Sequence, residues 1–346
     1  MTKSTLFFPF FFLLLVFVSI QGYSQQDSAR LYYQKGLQQR QAGRLMEAYR
    51  SFDRAFQHDS TNLDIVRGLA LSAYDLRRYD QARDLYKKLV ALGDGSAANY
   101  ERLMELSFNM RLFDEAILYA GKLRQVDPHA RVSRILGKAS YEQENYGDAI
   151  RYLGEAARAE PGNAEVPYLV ARSYVEMTNY KQAIPFFRQA LSLDSSNSTW
   201  LYELGLTYYA AHDDGNALRS ILLAGEKGYK KDNDYLTNLG IAYLNAGHPG
   251  EGLAVLTDLL KKRPSDLSLL DMVADAQYNL GHYDEAMQYW DTILGYDKSN
   301  ASALYMIGMC YLKKGDKAKG TQLCDKAIEM DPSLASHKEK RMTMGL

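Results

Sequence analysis

Apolar side chains recur at every third or fourth position over residues 200–224, which read WLYELGLTYYAAHDDGNALRSILLA. The apolar pattern runs through Leu201, Leu204 and Tyr208, and polar or small residues interrupt it at 213–215 before it resumes. This spacing predicts two amphipathic helices joined by a tight turn. Two helices of about 13 residues, each about 20 Å long, bury too little apolar surface to be stable alone. The hairpin therefore has to pack against neighbours of the same kind.

The same pattern recurs along the chain with a period close to 34 residues. One position of the predicted second helix holds Ala or Gly in every copy: Ala48, Ala82, Ala116, Ala149, Ala183, Ala217, Gly252, Ala286 and Gly320. Successive gaps are 34, 34, 33, 34, 34, 35, 34 and 34 residues. Twelve residues earlier lies a second position, which is small except at Met104: Gly36, Ala70, Met104, Gly137, Ala171, Gly205, Gly240, Ala274 and Gly308. Small side chains let helix backbones approach closely, so this period predicts a stack of tandem hairpins.

These positions resemble the signature of the tetratricopeptide repeat family, which consists of an apolar residue, Leu-Gly, Tyr, Ala, an aromatic residue and Pro. Its first half is matched by Leu236, Leu239, Gly240 and Tyr243, and its second half by Ala183 with Phe187 and by Ala286 with Trp290. The resemblance implies an all-α fold, a right-handed superhelical α-solenoid of tandem helix-turn-helix hairpins over residues 25–332. Nine repeats are predicted: 29–62, 63–96, 97–129, 130–163, 164–197, 198–232, 233–266, 267–300 and 301–332.

Residues 1–24 differ from the repeats, because they contain an unbroken apolar run, Leu6–Ile20, and Lys3 as their only charge. A bilayer span needs about 20 apolar residues, whereas a basic start, a shorter apolar core and a small polar exit are typical of a secretory signal peptide. We therefore expect cleavage after Ser24, no transmembrane span in the remaining chain, and export to a bacterial periplasm or outer membrane. The alternative is an uncleaved membrane anchor, which leaves the repeats outside the cytoplasm as well.

Residues 333–346 begin like one more first helix and then carry the charged run HKEKR at 337–341. Repeat arrays need a polar element over the apolar face of the last repeat, so we predict a C-terminal cap. A basic recognition tail is the alternative, although charge runs are usually solvated faces.

Charge and motif content limit the possible chemistry. The formal net charge of −1 over 346 residues provides no overall field for nucleic acid, so no nucleic-acid partner is expected. The sequence contains no HExxH, GxSxG, glycine-rich phosphate loop or paired CxxC motif, and no two His residues at helical spacing. We expect no catalytic residue, no metal and no cofactor. Catalysis is the least supported of three function hypotheses.

Cys310 and Cys324 are the only cysteines, one on each predicted helix of the ninth repeat. In an oxidising compartment they could form a disulfide that closes a loop of about 15 residues and contributes about 3 kcal/mol. The alternative is a pair of buried small side chains, since Cys324 occupies a core position of the repeat.

The resemblance implies that first helices line a concave groove that receives peptide segments. Helical phase then selects residues that lie off the apolar stripe of each first helix. The selected residues are basic in the fourth and fifth repeats, acidic in the sixth to eighth, and include tyrosines: Arg131, Arg134, Lys138 and Arg172; Glu203, Asp234, Asp271 and Asp275; Tyr168 and Tyr202. Such a groove suits a protein segment with an acidic stretch followed by a basic one. The alternative is a solvated charge network in which Glu101 and Glu105 pair with Arg134 and Lys138.

The sequence therefore predicts an exported, non-enzymatic scaffold that binds a protein or peptide in its concave groove and organises envelope proteins. The second hypothesis is a fixed subunit of an envelope complex that docks through the convex second helices. The identity of the partner, the pathway and the oligomeric state do not follow from the sequence.

Overall fold

The computed structural model describes residues 26–335, and these residues form α-helices, turns and one short 3-10 helix without any strand. The helices in chain order are α1 (26–41), α2 (Leu45–His58), α3 (Leu63–Asp75), α4 (Tyr79–Ala91), α5 (Ala97–Asn109), α6 (Phe113–Val126), α7 (Ser133–Glu142), α8 (Tyr146–Ala159), α9 (Glu165–Glu176), α10 (Tyr180–Leu193), α11 (Ser198–Ala210), α12 (Asp214–Glu226), α13 (Asn233–Asn245), α14 (Pro249–Lys262), α15 (Leu267–Asn279), α16 (Tyr283–Tyr296), α17 (Ala301–Lys313) and α18 (Lys317–Met330). The 3-10 helix Pro332–Leu334 follows. The predicted signal peptide, and the predicted cap beyond residue 335, lie outside the described residues.

The described part of the chain divides into two compact units, with the boundary between Ser173 and Tyr174. Within the first unit, α3 packs on α4, α5 on α6 and α7 on α8, and the second helices α2, α4 and α6 also contact the first helix of the next hairpin. Within the second unit the same holds for α11 with α12, α13 with α14, α15 with α16 and α17 with α18. The predicted all-α fold, a solenoid of tandem hairpins, is confirmed.

Side-chain caps set the start of many first helices. The Asn62 side chain accepts hydrogen bonds from the Asp64 and Ile65 amides, and Asn197 accepts one from the Trp200 amide. Such caps satisfy backbone donors that have no partner inside the helix. The same role belongs to Asp232, Asp266 and Asn300. Helix α7 begins at Ser133, three residues after the predicted repeat start at 130, because residues 128–132 form a turn.

Each hairpin turn contains one residue with a left-handed backbone. These residues are Gly43, Arg77, Arg111, Glu144, Thr178, His212, Gly247, Gly281 and Gly315, with φ between 54° and 83° except for Gly315 at 94°. The left-handed residue ends one helix and turns the chain into the next. Glycine adopts this conformation without cost, whereas a residue with a Cβ is strained there.

Large side chains of the second helices pack directly against the small residues of the first helices. The ring of Phe52 lies against two glycines, because a Cβ added at Gly36 or at Gly68 would come within 2.8 or 2.7 Å of it. A Cβ at Gly137 would come within 2.6 Å of the Leu153 side chain. Phe52 and Leu153 are fully buried. The close approach of the two helices therefore depends on the missing side chain.

Candidate functional site

Two cavities lie end to end between the first helices α13 and α15 of the second unit, and Met272 lines both of them. The first, of about 620 Å³, lies at the N-terminal ends of the two helices and contains Asp234 and Asn238. The second, of about 530 Å³, lies toward their C-terminal ends and contains Ile241 and Asp275. We call the two cavities together the α13–α15 groove.

Aromatic rings line the inner wall of the first cavity. Tyr202 stacks on Tyr229 with ring centroids 4.2 Å apart, and Tyr235 lies 5.9 Å from both rings. The Asn238 amide donates a hydrogen bond of 2.6 Å to the Tyr202 hydroxyl. Tyr202 is only 7% exposed, and burial raises the pKa of its hydroxyl, opposed by the hydrogen bond from Asn238. Tyr202, a predicted partner-binding residue, thus lines the cavity while its ring is held in a stack and its hydroxyl is hydrogen-bonded.

Three carboxylates line the same cavity, those of Asp232, Asp234 and Asp266. Asp232 and Asp266 cap α13 and α15 by accepting hydrogen bonds from the Tyr235 and Leu269 amides. Asp232 also lies 3.7 Å from the Lys230 ammonium, and Asp266 lies 2.7 Å from the Arg263 guanidinium. Asp234, in contrast, is exposed and has no ion-pair partner among residues 26–335.

The second cavity has apolar walls and a single carboxylate. Ile241, Leu244 and Leu280 contribute side chains to the walls. Asp275 is the one ionisable residue among the ten described residues that line this cavity. Its carboxylate is accessible to solvent and has no ion-pair partner in the described part of the chain. The surrounding protein atoms and the negative charge of Asp271 raise the pKa of Asp275 to about 6.

Asp271 lies one helical turn before Asp275 but faces the hairpin interior. Its Oδ1 accepts a hydrogen bond of 2.8 Å from Nε1 of Trp290, a ring that is fully buried. Glu203, on α11, is part-buried, and its backbone carbonyl accepts a hydrogen bond from the Thr207 hydroxyl. Of the four predicted acidic residues, Asp234 and Asp275 thus line the α13–α15 groove.

The predicted basic residues belong to the first unit, and two of them are paired within it. Arg134 lies 3.3 Å from Glu160, and Lys138 lies 2.8 Å from Glu165. The alternative charge network therefore named the wrong partners. Glu105 pairs instead with Arg102, three residues earlier on α5. The acids that reach Arg134 and Lys138 are the C-cap residue of α8 and the first residue of α9. Helical phase along α7 alone does not predict either contact.

The other three predicted site residues of the first unit lie in two different places, Arg131 before α7 and Tyr168 and Arg172 on α9. Arg131 is exposed in the turn before α7. Arg172 and Tyr168 lie one turn apart on α9, and the guanidinium is 3.4 Å from the Tyr168 hydroxyl. Tyr168 and Arg172 are both part-buried. These residues do not form one basic surface with Arg134 and Lys138, because the latter two are neutralised.

Cys310 and Cys324 are both buried, and no disulfide joins them in this structure, as the alternative interpretation of the sequence expects. The Cys324 thiol lies against Gly308, where an added Cβ would be 2.7 Å from its sulfur. Burial raises the pKa of the Cys310 thiol to about 12. Both cysteines act as small apolar side chains of the last hairpin.

Sequence reasoning missed several residues of the groove. Tyr229 lies in the connection before α13, where the one-residue insertion falls and no helical phase applies. Asn238, Ile241 and Met272 lie on the groove side of their helices. A step of four residues from Asp234 reaches Asn238, and a further step of three reaches Ile241, so helical spacing could have found both. Among residues 26–335, no group of three or more His, Cys, Asp and Glu could hold a metal ion. No helix in the same part of the chain is both long and apolar enough to cross a membrane.

Paired helices stacked in tandem, with an open groove between successive first helices, define a helical repeat scaffold. The chain matches the tetratricopeptide repeat family over residues 33–298 and again over residues 272–335. It belongs to this family, whose members are typically scaffolds for protein–protein interaction.

Individual relatives are more distant. Superkiller complex protein 3 of Homo sapiens is 26% identical over 211 residues, which are 58% of this chain and 13% of that protein. Among solved structures, YrrB, a TPR protein with an unusual peptide-binding site, is 25% identical with a TM-score of 0.44, over 54% of this chain and 97% of YrrB. The C-terminal part of a TPR repeat-containing protein from Cytophaga hutchinsonii is 16% identical with a TM-score of 0.48, over 80% of this chain and 99% of that one.

Proposed function

We propose that this protein is a non-enzymatic scaffold that holds a segment of a partner protein in the α13–α15 groove. The observation that supports this function is the pair of adjoining cavities, of about 620 and 530 Å³, along the two helices. Their walls combine aromatic and aliphatic side chains with carboxylates that have no ion-pair partner, such as Asp234 and Asp275. A recognition groove needs this combination, because apolar walls provide affinity and a few polar groups fix the position of the bound segment along the groove.

The dimensions of the groove indicate the size of the segment. Helix α13 has 13 residues, which corresponds to a length of about 20 Å. An extended chain covers that distance in about six residues. The bound segment is therefore a short linear stretch of the partner and not a folded face.

The proposal includes export of the scaffold to a bacterial periplasm or outer membrane, where it organises envelope proteins. The apolar run Leu6–Ile20 after Lys3 supports export. A fusion of residues 1–24 to a reporter that is active only after export tests this part. A fusion that remains in the cytoplasm with an inactive reporter contradicts this part of the proposal. The matched control is a fusion that starts at residue 25 and therefore lacks the apolar run.

A photo-reactive amino acid at Met272, where the two cavities meet, tests the groove. Crosslinking in the native envelope is expected to capture one or a few proteins through short linear segments. A stable full-length protein that captures nothing from this position contradicts the proposed function. The same reactive group at Leu223, an exposed residue of the second helix α12, is the matched control.

A fixed subunit that docks through second helices is the second candidate. It is supported by large apolar side chains that are exposed on second helices: Leu118, Val126, Leu193, Leu223, Tyr296 and Met330. Such side chains offer apolar surface that a docking partner would cover. Capture from Leu223 together with no capture from Met272 favours this candidate over the groove.

A further inference from the structure

Within the proposed groove function, we infer that the second cavity of the α13–α15 groove binds a Lys or Arg side chain of the partner, with the cation against the Asp275 carboxylate. The methylene stem of that side chain lies along Ile241, Leu244 and Leu280. The partner is thus a protein whose bound segment carries a basic residue at a defined position. This inference rests on the proposed function and adds the chemistry of its occupant.

The walls of the cavity fit the stem of a basic side chain. Ile241 and Leu244 come from α13, Pro249 begins α14, and Leu280 follows α15. Leu280 is 39% exposed, so its side chain is available at the rim of the cavity. Lys and Arg bury their methylene groups along apolar surfaces while the charged end reaches a polar partner. A short polar side chain would leave these walls exposed.

The charge of the cavity requires a cation. Asp275 has no counter-ion within the described chain, and no basic residue is among the ten residues that line the cavity. Asp271, one turn away, adds a second negative charge and is held in place by Trp290. Two neighbouring carboxylates disfavour each other, so an incoming cation relieves this repulsion. An acidic side chain would increase the repulsion, and a purely apolar one would remove water from Asp275 without compensation.

The amides of the cavity provide further acceptors. Asn245 and Asn279 line the same cavity at the C-terminal ends of α13 and α15. Side-chain amide oxygens and the last carbonyls of a helix accept hydrogen bonds from a cation, and helix C-termini favour positive charge. The C-terminal half of the groove is therefore the half that suits a basic residue.

The helix N-termini make the first cavity less suitable for a cation. Asp232 and Asp266 are already engaged by backbone amides and by Lys230 or Arg263. The third carboxylate, Asp234, is exposed on the first turn of α13, and the guanidinium of Arg263 lines the same cavity. The partial positive charge of two helix N-termini further offsets the negative charge of these carboxylates. Selection for a basic residue is thus expected at one position of the segment, the position above Asp275.

A randomised peptide library tests this inference. The probe is a library of about six randomised positions, the length that spans the groove, displayed against the full-length protein and then read by sequencing. We expect enrichment of Lys and Arg at one position. With Asp275→Asn, that enrichment is expected to fall about tenfold, because the charge-assisted interaction is lost while the cavity keeps its shape. With Asp275→Lys, the same position is expected to select Asp and Glu.

Matched variants separate the possible outcomes. Asp291→Asn removes an exposed carboxylate of the second helix α16 that does not line the groove, so the basic preference is expected to survive it. Met272→Trp fills the junction of the two cavities and is expected to abolish all enrichment that depends on the groove. Circular dichroism shows that each variant keeps its helical content.

Two results overturn the inference. If the library selects apolar or acidic residues, and Met272→Trp abolishes this selection, the groove binds segments but its occupant is not basic. If enrichment does not respond to Met272→Trp at all, both the inference and the proposed groove function are wrong. Persistence of the Lys and Arg preference in Asp275→Asn also contradicts the inference.

Discussion

The indole Nε1 of Trp290 donates a hydrogen bond of 2.8 Å to Oδ1 of Asp271, and this bond joins a fully buried ring of α16 to the groove helix α15. Trp290→Phe removes the donor and leaves space behind the smaller ring. Lost packing and an acceptor without its partner are together expected to lower the free energy of unfolding by about 2 kcal/mol. Urea unfolding followed by circular dichroism measures the change.

Asp271→Asn is the control for this bond. The amide oxygen of Asn still accepts a hydrogen bond from the indole, so a loss below about 1 kcal/mol is expected. A larger loss for Asp271→Asn than for Trp290→Phe would mean that the charge of Asp271, and not the bond to Trp290, stabilises this hairpin.

The raised pKa of Asp275 gives the stability a pH dependence. Protein atoms around the carboxylate and the charge of Asp271 raise this pKa from 3.8 to about 6 in the folded protein. The folded state therefore binds the proton more tightly than the unfolded state, and the resulting stability is present below about pH 4 and lost as pH rises through about 6. Asp275→Asn is expected to be more stable than the unmodified protein at pH 7.5, by about 1 kcal/mol, since the solvent-accessible side chain retains part of its hydration.

The difference between the two proteins is expected to shrink as the pH falls toward 4. Urea unfolding of both proteins at several pH values measures it. The groups that act on Asp275 are Asp271 on its own helix and the uncharged lining residues from α13 and α14, so Asp271→Asn is expected to reduce the same pH dependence. A difference that stays constant between pH 4 and 7.5 contradicts this assignment.

The turn at Thr178 is strained, because a β-branched residue holds a left-handed backbone with φ of 54°. A left-handed residue with a Cβ costs about 1–2 kcal/mol, and part of the gain on removing it is offset by the greater freedom of glycine in the unfolded chain. Thr178→Gly is therefore expected to raise the free energy of unfolding by about 1 kcal/mol. Gly281→Thr, at the equivalent turn with φ of 83°, is the reverse control and is expected to lower it by a similar amount. Equal stability of all three proteins would show that these turns carry no strain.

The hairpin fold follows from the sequence because small and apolar residues repeat in phase. The turn between paired helices was also predictable, since polar and small residues interrupt the apolar pattern there. The left-handed residue within each turn was not predicted: it is Gly in some copies but Arg77, Glu144 or Thr178 in others, so residue type alone does not mark it. Only the positive φ angle in the structure identifies this residue in each turn.

The groove follows from the sequence only in part. Helical phase selected Asp234 and Asp275, which both line the groove, because both lie off the stripe that packs the hairpin. Phase along α7 could not show that Arg134 and Lys138 are paired, because Glu160 ends α8 and Glu165 begins α9. Nor could it show that Tyr202 is buried by Tyr229, which lies in a connection and not on a helix.

Two glycines of one hairpin test the role of close helix contact. Gly137 of α7 packs against Leu153 of α8. A Cβ added at Gly137 would lie 2.6 Å from the Leu153 side chain and 3.1 Å from its backbone nitrogen. Gly137→Ala forces the helices apart and is expected to cost about 1–3 kcal/mol. Gly154 of α8 has open space around it, so Gly154→Ala is expected to raise the stability by about 0.5–1 kcal/mol through helix propensity. Urea unfolding compares the two variants, and a loss of stability in both would mean that the spacing of the helices is not the cause.

The thiols of the last hairpin are expected to be unreactive in the folded protein. Cys310 is fully buried with a pKa raised to about 12, so almost no thiolate exists at pH 8, and Cys324 is 3% exposed. A thiol reagent such as Ellman's reagent is expected to detect no free thiol in the native protein and two in guanidinium chloride, because the chain has two cysteines and no disulfide. A reducing agent is accordingly expected to leave the thermal unfolding midpoint unchanged. Detection of no thiol in guanidinium chloride, or a lower midpoint after reduction, would show that the two cysteines are bridged.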